Sequence, residues 1–358
     1  MKIIHCADLH LDSKMLSNFN AQQASQRRLE ILNTFENMIK FAVDNDVKVI
    51  IIAGDLFDTC EYVYKKIKER VINNIKNHPE IDFLYLKGNH DNNNYFDEIA
   101  TVIPNLKLFD KKVKSYFYGD ICISGLEFSK NVVEEYYNIN LDENKFNIFV
   151  MHGQESLSFS NDGEELVNLT ALKNKNIDYL ALGHIHTYKY KPLDNRGYYC
   201  YSGCLEGRGF DECGEKGFVL LDIDGHSFKH KFISISARTF YEVDVDITNA
   251  SDENDIYVRV INNIQQIDNK NIIKINLLGE IGSDIDIDVT YLTQKLSQEY
   301  YFVKIKDKTT TNINYDDYKN DISLKGEFVR LLETLDIPQD KKNKIISTGI
   351  KALLGKEF

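Results

Sequence analysis

Short apolar runs alternate with longer amphipathic stretches in the first part of the chain. Residues 47–53 form a β-branched run that stops at a glycine, which predicts a buried strand. Residues 21–45 and 61–77 carry apolar side chains at helical spacing. With the strands predicted at 3–6 and 82–87, they give the order strand, helix, strand, helix, strand. This order predicts a parallel sheet wound by right-handed crossovers.

The pattern then changes, and strands outnumber helices. Residues 113–126 contain two short apolar runs separated by Gly-Asp, which predicts a hairpin. Further strands are predicted at 146–151 and 178–182, with a helix at 164–175 between them and shorter strands from 187 to 235. We therefore expect an α/β fold, α+β overall, in which a sandwich of two sheets is flanked by helices.

Near residue 237 the predicted elements change from mostly strands to alternating strands and helices, which predicts a domain boundary. We expect a first domain at 1–237, a small α+β domain at 238–308, and a linker with two C-terminal amphipathic helices at 309–358. The apolar faces of these helices are formed by Leu324, Phe328, Leu331, Leu332 and Leu335 in one and by Ile346, Ile350, Leu353 and Leu354 in the other. A helix must bury such a face or remain marginal in water.

Polar side chains follow five of the predicted strands at the point where each strand ends. The clusters are Asp8-Leu9-His10, Gly54-Asp55, Gly88-Asn89-His90-Asp91, Met151-His152-Gly153 and Gly183-His184-Ile185-His186. They hold five of the nine histidines, which random placement would rarely give. Carboxylates, imidazoles and an amide suit Mn²⁺, Fe or Zn²⁺ and fit Ca²⁺ poorly. The pattern predicts a two-metal site that activates a bridging water, with Asp55 between the metals.

The formal net charge of −12 disfavours a nucleic-acid binder, because phosphate contacts normally come from Lys and Arg. Two dications held by Asp8 and Asp55 would, however, leave about +2 in the cleft, so the acidic balance does not exclude cleavage of DNA. Arg208, between two glycines, is a candidate phosphate contact. The tyrosines between 188 and 201 could stack on bases, but aromatic residues also favour strands, and we take them as strand residues.

The six cysteines form no CxxC pair, which predicts reduced thiols and a cytoplasmic protein. A structural zinc held by Cys200, Cys204 and Cys213 would lack a clear fourth ligand. The first residues are too short and too polar for a signal peptide, and no apolar run approaches membrane-spanning length. We therefore expect no membrane association.

The ordered strand-end clusters resemble the calcineurin-like metallophosphoesterases. The stretches 7–13, 54–59 and 202–217 resemble more narrowly the SbcD-like DNA repair exonucleases. The resemblance spans roughly residues 1–235 and implies a metallophosphoesterase sandwich that holds two divalent ions, with Mn²⁺ the expected metal. One ion would be held by Asp8, His10, Asp55 and His186, and the other by Asp55, Asn89, His152 and His184. His90 would be the general acid, oriented by Asp91.

The resemblance also implies a DNA exonuclease of DNA repair that forms a homodimer and works with an SMC-like (SbcC-type) ATPase. The domain at 238–308 would be a DNA-facing cap, and the part at 309–358 would dock the partner. Two other functions stay open, because the metal core is shared across substrates. One is a dinuclear phosphoesterase for nucleotides or other small phosphodiesters, and the other is a mainly structural subunit of an ATPase complex.

Overall fold

The computed structural model describes residues 1–58, 65–91, 95–129, 132–159, 165–282, 285, 287–312 and 321–353. The chain divides into two compact units, Met1–Phe240 and Tyr241–Phe358. Across the described part of the chain, no helix combines the length and the apolar character that crossing a membrane requires.

The first unit is rich in short strands. Its described strands are β1 (Lys2–Cys6), β2 (Val47–Ala53), β3 (Asp82–Leu86), β4 (Leu106–Leu108), β5 (Lys114–Tyr118), β6 (Ile121–Gly125), β7 (Phe146–His152), β8 (Gln154–Ser156), β9 (Leu166–Asn168), β10 (Tyr179–Gly183), β11 (Lys189–Pro192), β12 (Tyr198–Tyr201), β13 (Gly217–Asp224) and β14 (Ser227–Ser234). Its described helices are α1 (Ala21–Asp44), α2 (Lys65–Asn77), α3 (Tyr95–Ala100), α4 (Val132–Asn138) and α5 (Leu169–Leu172).

These strands form two six-stranded sheets. The first has the order β14-β13-β1-β2-β3-β4, and the second has the order β11-β12-β10-β7-β6-β5. Strands β1 to β4 run parallel, and the antiparallel hairpin β13–β14 extends the sheet beyond β1. The second sheet has a parallel centre, β12-β10-β7-β6, with an antiparallel strand at each edge. The predicted α/β fold with two sheets and flanking helices is confirmed.

The main hydrophobic core contains side chains from both sheets. Ile3, Val49 and Leu84 come from the first sheet, and Ile148 and Ala181 come from the second. All five are fully buried. Burying one Val, Leu or Ile side chain contributes roughly 1.5–3 kcal/mol. This shared core holds the sheets together and therefore holds the loops at their ends in place.

Helix α1 shows how the sequence sets the bounds of an element. The side chain of Asn20 accepts the N–H of Gln23, and the Gln23 side chain accepts the N–H of Asn20, which is a capping box. Ile31, Phe35 and Met38 form its buried face, and the helix packs on β2. The apolar positions predicted from helical spacing are buried at Leu32, Phe35, Ile39 and Ala42, whereas Leu29 and Val43 are exposed.

The helix predicted at 164–175 is wrong in extent. Leu166–Asn168 form a strand that pairs in parallel with β8, and only Leu169–Leu172 are helical. The Asn168 side chain accepts the N–H of Ala171 at 3.0 Å and so starts the helix later than predicted. The hairpin predicted at 113–126 is confirmed as β5 and β6.

The second part of the chain alternates strands with helices. Its described elements are β15 (Phe240–Asp246), α6 (Glu253–Ile264), β16 (Ile272–Leu278), β17 (Glu280–Gly282), α7 (Val289–Leu296), β18 (Phe302–Asp307), β19 (Thr310–Asn312), α8 (Leu324–Glu333) and α9 (Gln339–Leu353). Strands β15, β16 and β18 form one sheet. Helices α8 and α9 bury a small apolar cluster of Val329, Leu332, Ile346 and Ile350.

Candidate metal centre

The candidate site forms where loops follow β1, β2, β3, β7 and β10. Open α/β sheets collect ligands at the carboxyl ends of their strands. The N–H groups of Asp8 and His10 donate to the carbonyls of Gly54 and Asp55, each at 3.0 Å, and join the loops after β1 and β2. The N–H of His184, from the second sheet, donates to both carboxylate oxygens of Asp8 at 2.9 and 3.0 Å. Loops of both sheets are therefore tied together at one place.

The first ligand group comprises Asp8, His10 and His186, whose candidate ligand atoms lie within 4.8 Å of one another. His10 Nε2 lies 3.4 Å from His186 Nε2 and 3.7 Å from Asp55 Oδ2. His186 Nε2 lies 4.0 Å from Asp8 Oδ1. The structure thus brings together the four side chains that the resemblance assigned to one metal.

The second ligand group comprises Asn89, His152 and His184, and it also adjoins Asp55. His152 Nε2 is 3.4 Å from Asp55 Oδ2 and 3.0 Å from Asn89 Oδ1. His184 Nδ1 is 3.3 Å from the same Asn89 oxygen. Glu165, which was not predicted, completes a cluster with His152 and His184 within 4.8 Å. Asp55 contacts both groups.

The donor atoms of the first group suit a cation. His186 Nδ1 donates to Glu212 Oε1 at 2.6 Å, so its Nε2 carries a lone pair. His10 Nδ1 lies 3.1 Å from Asp58 Oδ1 but makes no hydrogen bond to it. The Nε2 atoms of His10 and His186 face each other at 3.4 Å, and two lone pairs at that distance repel unless a cation or a proton lies with them. Neutral imidazoles and carboxylates are the ligand set of a divalent transition metal.

Acceptor atoms also crowd around His152. Its Nδ1 donates to the carbonyl of Ala53 at 2.9 Å, so its Nε2 faces the oxygens of Asn89 and Asp55. Burial would lower the pKa of His152, but the hydrogen bond and charge of Asp55 outweigh it and raise that pKa to about 9. Burial opposes ionisation of Asp55, yet His152 and His10 hold its pKa well below the usual range. A divalent cation could replace the proton that these acceptor atoms stabilise on His152.

Four site residues adopt a left-handed backbone conformation that residues other than glycine rarely take. Their φ angles are +54° for Asp8, +43° for His10, +53° for Asp55 and +99° for His184. Such conformations cost on the order of 1–3 kcal/mol each and persist only where surrounding structure imposes them. The hydrogen bonds between the loops impose them here. Strain concentrated on the chemically active side chains supports a functional role for this place.

Two glycines allow the strand ends to approach this closely. A Cβ at Gly54 would lie 2.1 Å from Nδ1 of His152, and a Cβ at Gly183 would lie 1.9 Å from the carbonyl oxygen of Ala53. Both distances are far inside van der Waals contact. A larger side chain would therefore push β2 away from β7 at Gly54 and away from β10 at Gly183, and would separate the ligand groups.

The sequence profile described as calcineurin-like phosphoesterase matches residues 1–188, which is more than half of the chain. The chain belongs to the calcineurin-like phosphoesterase family. The matched range contains every side chain of the two ligand groups. The prediction of a metal-dependent enzyme that hydrolyses phosphoesters is therefore confirmed, and so is divalent metal binding.

Curated relatives of this phosphoesterase include two proteins with named roles. The DNA double-strand break repair protein Mre11 of Sulfurisphaera tokodaii is 27% identical over 269 residues, which cover 70% of this chain and 67% of that protein. The D subunit of the nuclease SbcCD of Staphylococcus saprophyticus is 27% identical over 279 residues, which cover 68% of this chain and 71% of that protein. The uncharacterized metallophosphoesterase YhaO of Bacillus subtilis is 26% identical over 268 residues, which cover 70% of this chain and 64% of that protein.

Solved structures similar to this phosphoesterase include TT1561 of Thermus thermophilus, at 13% identity and a TM-score of 0.43, covering 64% of this chain and 98% of that one. A dimetal phosphatase from Danio rerio matches at 10% identity and a TM-score of 0.43, covering 66% of this chain and 99% of that one.

In this phosphoesterase the loop after β3 carries the proposed general acid. His90 Nδ1 donates to the backbone carbonyl of Asp58 at 2.7 Å, and the His90 N–H donates to Asp55 Oδ1 at 3.0 Å. The His90 ring centroid lies 5.1 Å from that of His10. His90 therefore borders the first ligand group, and its role in proton transfer stays a prediction.

Asp91 was expected to orient the His90 ring, and that role stays a prediction, while the structure shows that the Asp91 carboxylate also binds backbone N–H groups. Its carboxylate accepts the N–H groups of Leu56, Phe57 and Gly88 at 3.2, 3.2 and 3.1 Å. These bonds hold the loops after β2 and β3 against each other. Asp91 thus supports the site through the backbone, while a carbonyl oxygen takes the contact with the imidazole.

Arg208 lies at the site but faces carboxylates of the protein. Its Nη1 donates to Asp58 Oδ1 at 2.7 Å, and its Nη2 donates to Glu212 Oε1 at 3.0 Å. The phosphate contact predicted for Arg208 therefore stays a prediction.

Three carboxylates at the site were not singled out from the sequence. Asp58 lies three residues after Asp55 in the loop that follows β2, but its position in the sequence did not indicate a role. Glu212 lies four residues after Arg208 in a glycine-containing loop, and Glu165 immediately precedes β9. These carboxylates contact residues that are distant from them in the sequence. No local sequence pattern could therefore have identified them as site residues.

None of the described cysteines belongs to a cluster able to hold a metal, although the Cys204 thiol contacts the backbone carbonyl of His186 and the carboxylate of Glu212. Cys200, Cys204 and Cys213 are free thiols, as are the other described cysteines, Cys6 and Cys122. Among the described residues, the clusters able to hold a metal contain only Asp, Glu and His. The structure therefore offers no support for a structural zinc at these three cysteines.

Proposed function

We propose that this phosphoesterase is a Mn²⁺-dependent DNA nuclease, an exonuclease that hydrolyses phosphodiesters in DNA repair. The observation that carries the proposal is the pair of adjoining ligand groups that share Asp55. The names of two relatives, a double-strand break repair protein and a component of a nuclease, support DNA as the substrate. A cytoplasmic location belongs to the same proposal.

The two metal ions would be held by the side chains that the structure brings together. Asp8, His10, Asp55 and His186 would hold one ion, and Asp55, Asn89, His152 and His184 would hold the other. Mixed carboxylate and imidazole ligands suit Mn²⁺. When bound, the ions supply Lewis-acid activation of the phosphate and of the attacking water.

Groups of the chain itself prepare these ligands. The Glu212 carboxylate keeps the proton of His186 on Nδ1, and the Ala53 carbonyl does the same for His152. In both histidines Nε2 is left as the atom that faces the site. Second partners of this kind fix the tautomer and the orientation of a ligating imidazole.

His90 is proposed to protonate the leaving oxygen. Its Nδ1–H is held by the carbonyl of Asp58, so the proton that it transfers is the one on Nε2 of the charged ring. The backbone N–H of His90 also donates to Asp55, and this hydrogen bond holds the proposed acid close to the shared carboxylate.

The proposal is tested by assaying the purified protein with Mn²⁺ on end-labelled double-stranded DNA and on bis(p-nitrophenyl) phosphate. We expect the wild type to cleave both and Asp55→Asn to cleave neither. Asn is suited to the left-handed backbone of this position but lacks the charge. Cleavage of the small diester without cleavage of DNA would contradict the DNA nuclease. Cleavage of neither substrate by the metal-loaded wild type would favour a mainly structural subunit.

A nucleotide or another small phosphodiester is the second candidate substrate. A cavity of about 500 Å³ beside the second ligand group favours it. The cavity is lined by Asn89, Gln154, Glu165, Leu166 and His184. Such a volume lies within the range of sites for small molecules. Release of single nucleotides from a DNA end would use the same cavity, so the two candidates differ in whether polymeric DNA is accepted.

We further propose an SMC-like ATPase as partner, docked on the part at 309–358, and a homodimer. Helix α8 keeps Leu324 and Leu331 exposed, at 68% and 64% of their full exposure, and Leu335 just after the helix is 44% exposed. An amphipathic helix with such a face is suited to a groove or to a coiled coil of a partner. The small domain at 238–308 is proposed to face DNA.

A further inference from the structure

We propose that Arg208 is a positioning residue that sets the metal affinity of the first ligand group. It joins two carboxylates, Asp58 and Glu212, and each of them stands behind one histidine of that group. This inference goes beyond the proposed function, because it does not depend on DNA being the substrate. It also gives Arg208 a role that can be measured without catalysis.

Glu212 is the partner of His186. Its Oε1 accepts from His186 Nδ1 at 2.6 Å, and its side chain is 6% exposed. A carboxylate behind a ligating histidine fixes the tautomer and the ring plane and makes the other ring nitrogen more basic. The orientation of His186 Nε2 toward Asp8 therefore depends on where Glu212 is held.

Asp58 lies behind His10, in a close polar contact that is not a hydrogen bond. Its Oδ1 lies 3.1 Å from His10 Nδ1, with a side chain that is 22% exposed. Its backbone is anchored separately, because its N–H donates to Asp12 Oδ1 at 2.5 Å and its carbonyl accepts from His90. Among the described contacts of the Asp58 carboxylate, the hydrogen bond from Arg208 Nη1 is the one that fixes its rotamer.

Arg208 binds both carboxylates at once. Nη1 donates to Asp58 Oδ1 at 2.7 Å, while Nε and Nη2 donate to Glu212 Oε1 at 3.2 and 3.0 Å. The backbone N–H of Arg208 donates to Glu212 Oε2 at 2.7 Å. A planar guanidinium can span two acceptors in this way, whereas the compact ammonium of a lysine cannot match that geometry.

The charge of Arg208 is needed as well as its shape. Asp58 and Glu212 approach a site that already contains Asp8 and Asp55, so four carboxylates share one small region. Arg208 and Asp58 are partly buried and Glu212 is buried, so removing the cation leaves their charges uncompensated and destabilises the site. Without Arg208 we expect the two outer carboxylates to turn toward water and to release the histidine rings from their present orientation.

A phosphate-contacting arginine would behave differently. Such a residue would change KM for a phosphodiester and leave metal binding without substrate unchanged. A residue that orients metal ligands changes metal binding when no substrate is present. The two roles are therefore separated by a metal titration of the substrate-free protein.

The experiment titrates Mn²⁺ into the metal-free, full-length protein by calorimetry. We expect Arg208→Ala to weaken one of the two binding steps by about 10- to 100-fold, which is the usual effect of losing an outer partner of a metal ligand. Arg208→Lys keeps the charge but not the planar guanidinium, and we expect an intermediate loss of Mn²⁺ affinity.

Arg196→Lys is the matched control. Arg196 donates two hydrogen bonds to Asp178, each at 2.9 Å, at the opposite end of β10. That control is expected to bind Mn²⁺ as the wild type does.

A double-mutant cycle tests whether Arg208 acts through Glu212. If the two form one unit, Arg208→Ala and Glu212→Ala together weaken Mn²⁺ binding by less than the product of their single effects. Melting of the metal-free variants shows which of them fold. Should Arg208→Ala not fold, wild-type Mn²⁺ affinity in Arg208→Lys overturns the proposal. A raised KM with unchanged Mn²⁺ affinity, or independent effects in the cycle, also overturns it.

Discussion

Among single residues, His90 lies near enough to His10 and Asp58 to be a possible metal ligand, but its proposed role is that of the general acid. We predict that His90→Ala lowers turnover by about 10²–10⁴-fold, the usual contribution of a general acid, while bound metal stays at the wild-type level. His90→Asn is a useful companion, because its amide can still donate to the Asp58 carbonyl but cannot transfer a proton. Turnover and metal content are measured on the same samples. A loss of metal as large as the loss of turnover would make His90 a ligand.

A second residue-scale feature is Glu127, a buried carboxyl outside the metal centre. Burial raises its pKa from an ordinary 4.5 to about 7, Lys87 acts against this shift, and the charges of Asp110 and Asp97 add to it. Between these two pKa values the folded protein binds more protons than the unfolded chain. The contribution of Glu127 to stability is therefore full below about pH 4 and is lost as pH rises toward 7.

We predict that Glu127→Gln stabilises the protein above pH 7 by on the order of 2 kcal/mol and leaves stability near pH 4 unchanged. The glutamine can still accept the N–H of Lys87, which the carboxylate accepts at 3.4 Å. Urea unfolding of both proteins between pH 4 and 8 measures the difference. A difference that does not grow with pH would show that Glu127 is not held in its uncharged form by burial.

At the scale of elements, apolar patterning predicted the strands that matter most for the site. The run at 47–53 became β2, and Asp55 lies just beyond its end, as the sequence indicated. Patterning failed at Leu166–Asn168, because a three-residue strand is decided by its pairing with β8 rather than by its own residues. It also could not reveal the contact between Asp58 and Arg208, which are far apart in the chain and meet only in the fold.

The close packing of β10 against β2 leads to an element-scale prediction. We expect Gly183→Ala to destabilise the protein by about 1–3 kcal/mol or more, because the added methyl group overpacks against the Ala53 carbonyl. It should also weaken metal binding, since His184 follows directly.

Gly119→Ala is the control for that change. Gly119 has a φ of +63°, and a Cβ there would meet nothing within 4 Å. It should cost only about 1–2 kcal/mol from backbone strain and leave metal binding intact. Urea unfolding and Mn²⁺ titration of both variants decide the matter. Equal effects on metal binding would mean that the strand spacing does not set the metal centre.

At the scale of the whole molecule, helices α8 and α9 have a small apolar cluster of their own. We predict that a chain ending at Asn312 stays folded and keeps metal-dependent hydrolysis of small phosphodiesters, but does not bind the proposed ATPase partner. Thermal melting and small-substrate turnover of the shortened and full chains test this. A sharp fall in melting temperature together with lost turnover would place the helices in the core of the enzyme and refute partner docking.

The strand order of the first sheet bears on how the protein is made. β1 lies between β2 and β13, so one of its two edges stays unpaired until Gly217–Asp224 have left the ribosome. An unpaired edge invites association with other nascent chains, and pairings distant in sequence form slowly. Asp8 and His10 lie in the loop that follows β1. A chain stalled before Gly217 therefore contains every proposed metal ligand but lacks β13. Without β13, the strand that precedes Asp8 and His10 has one unpaired edge.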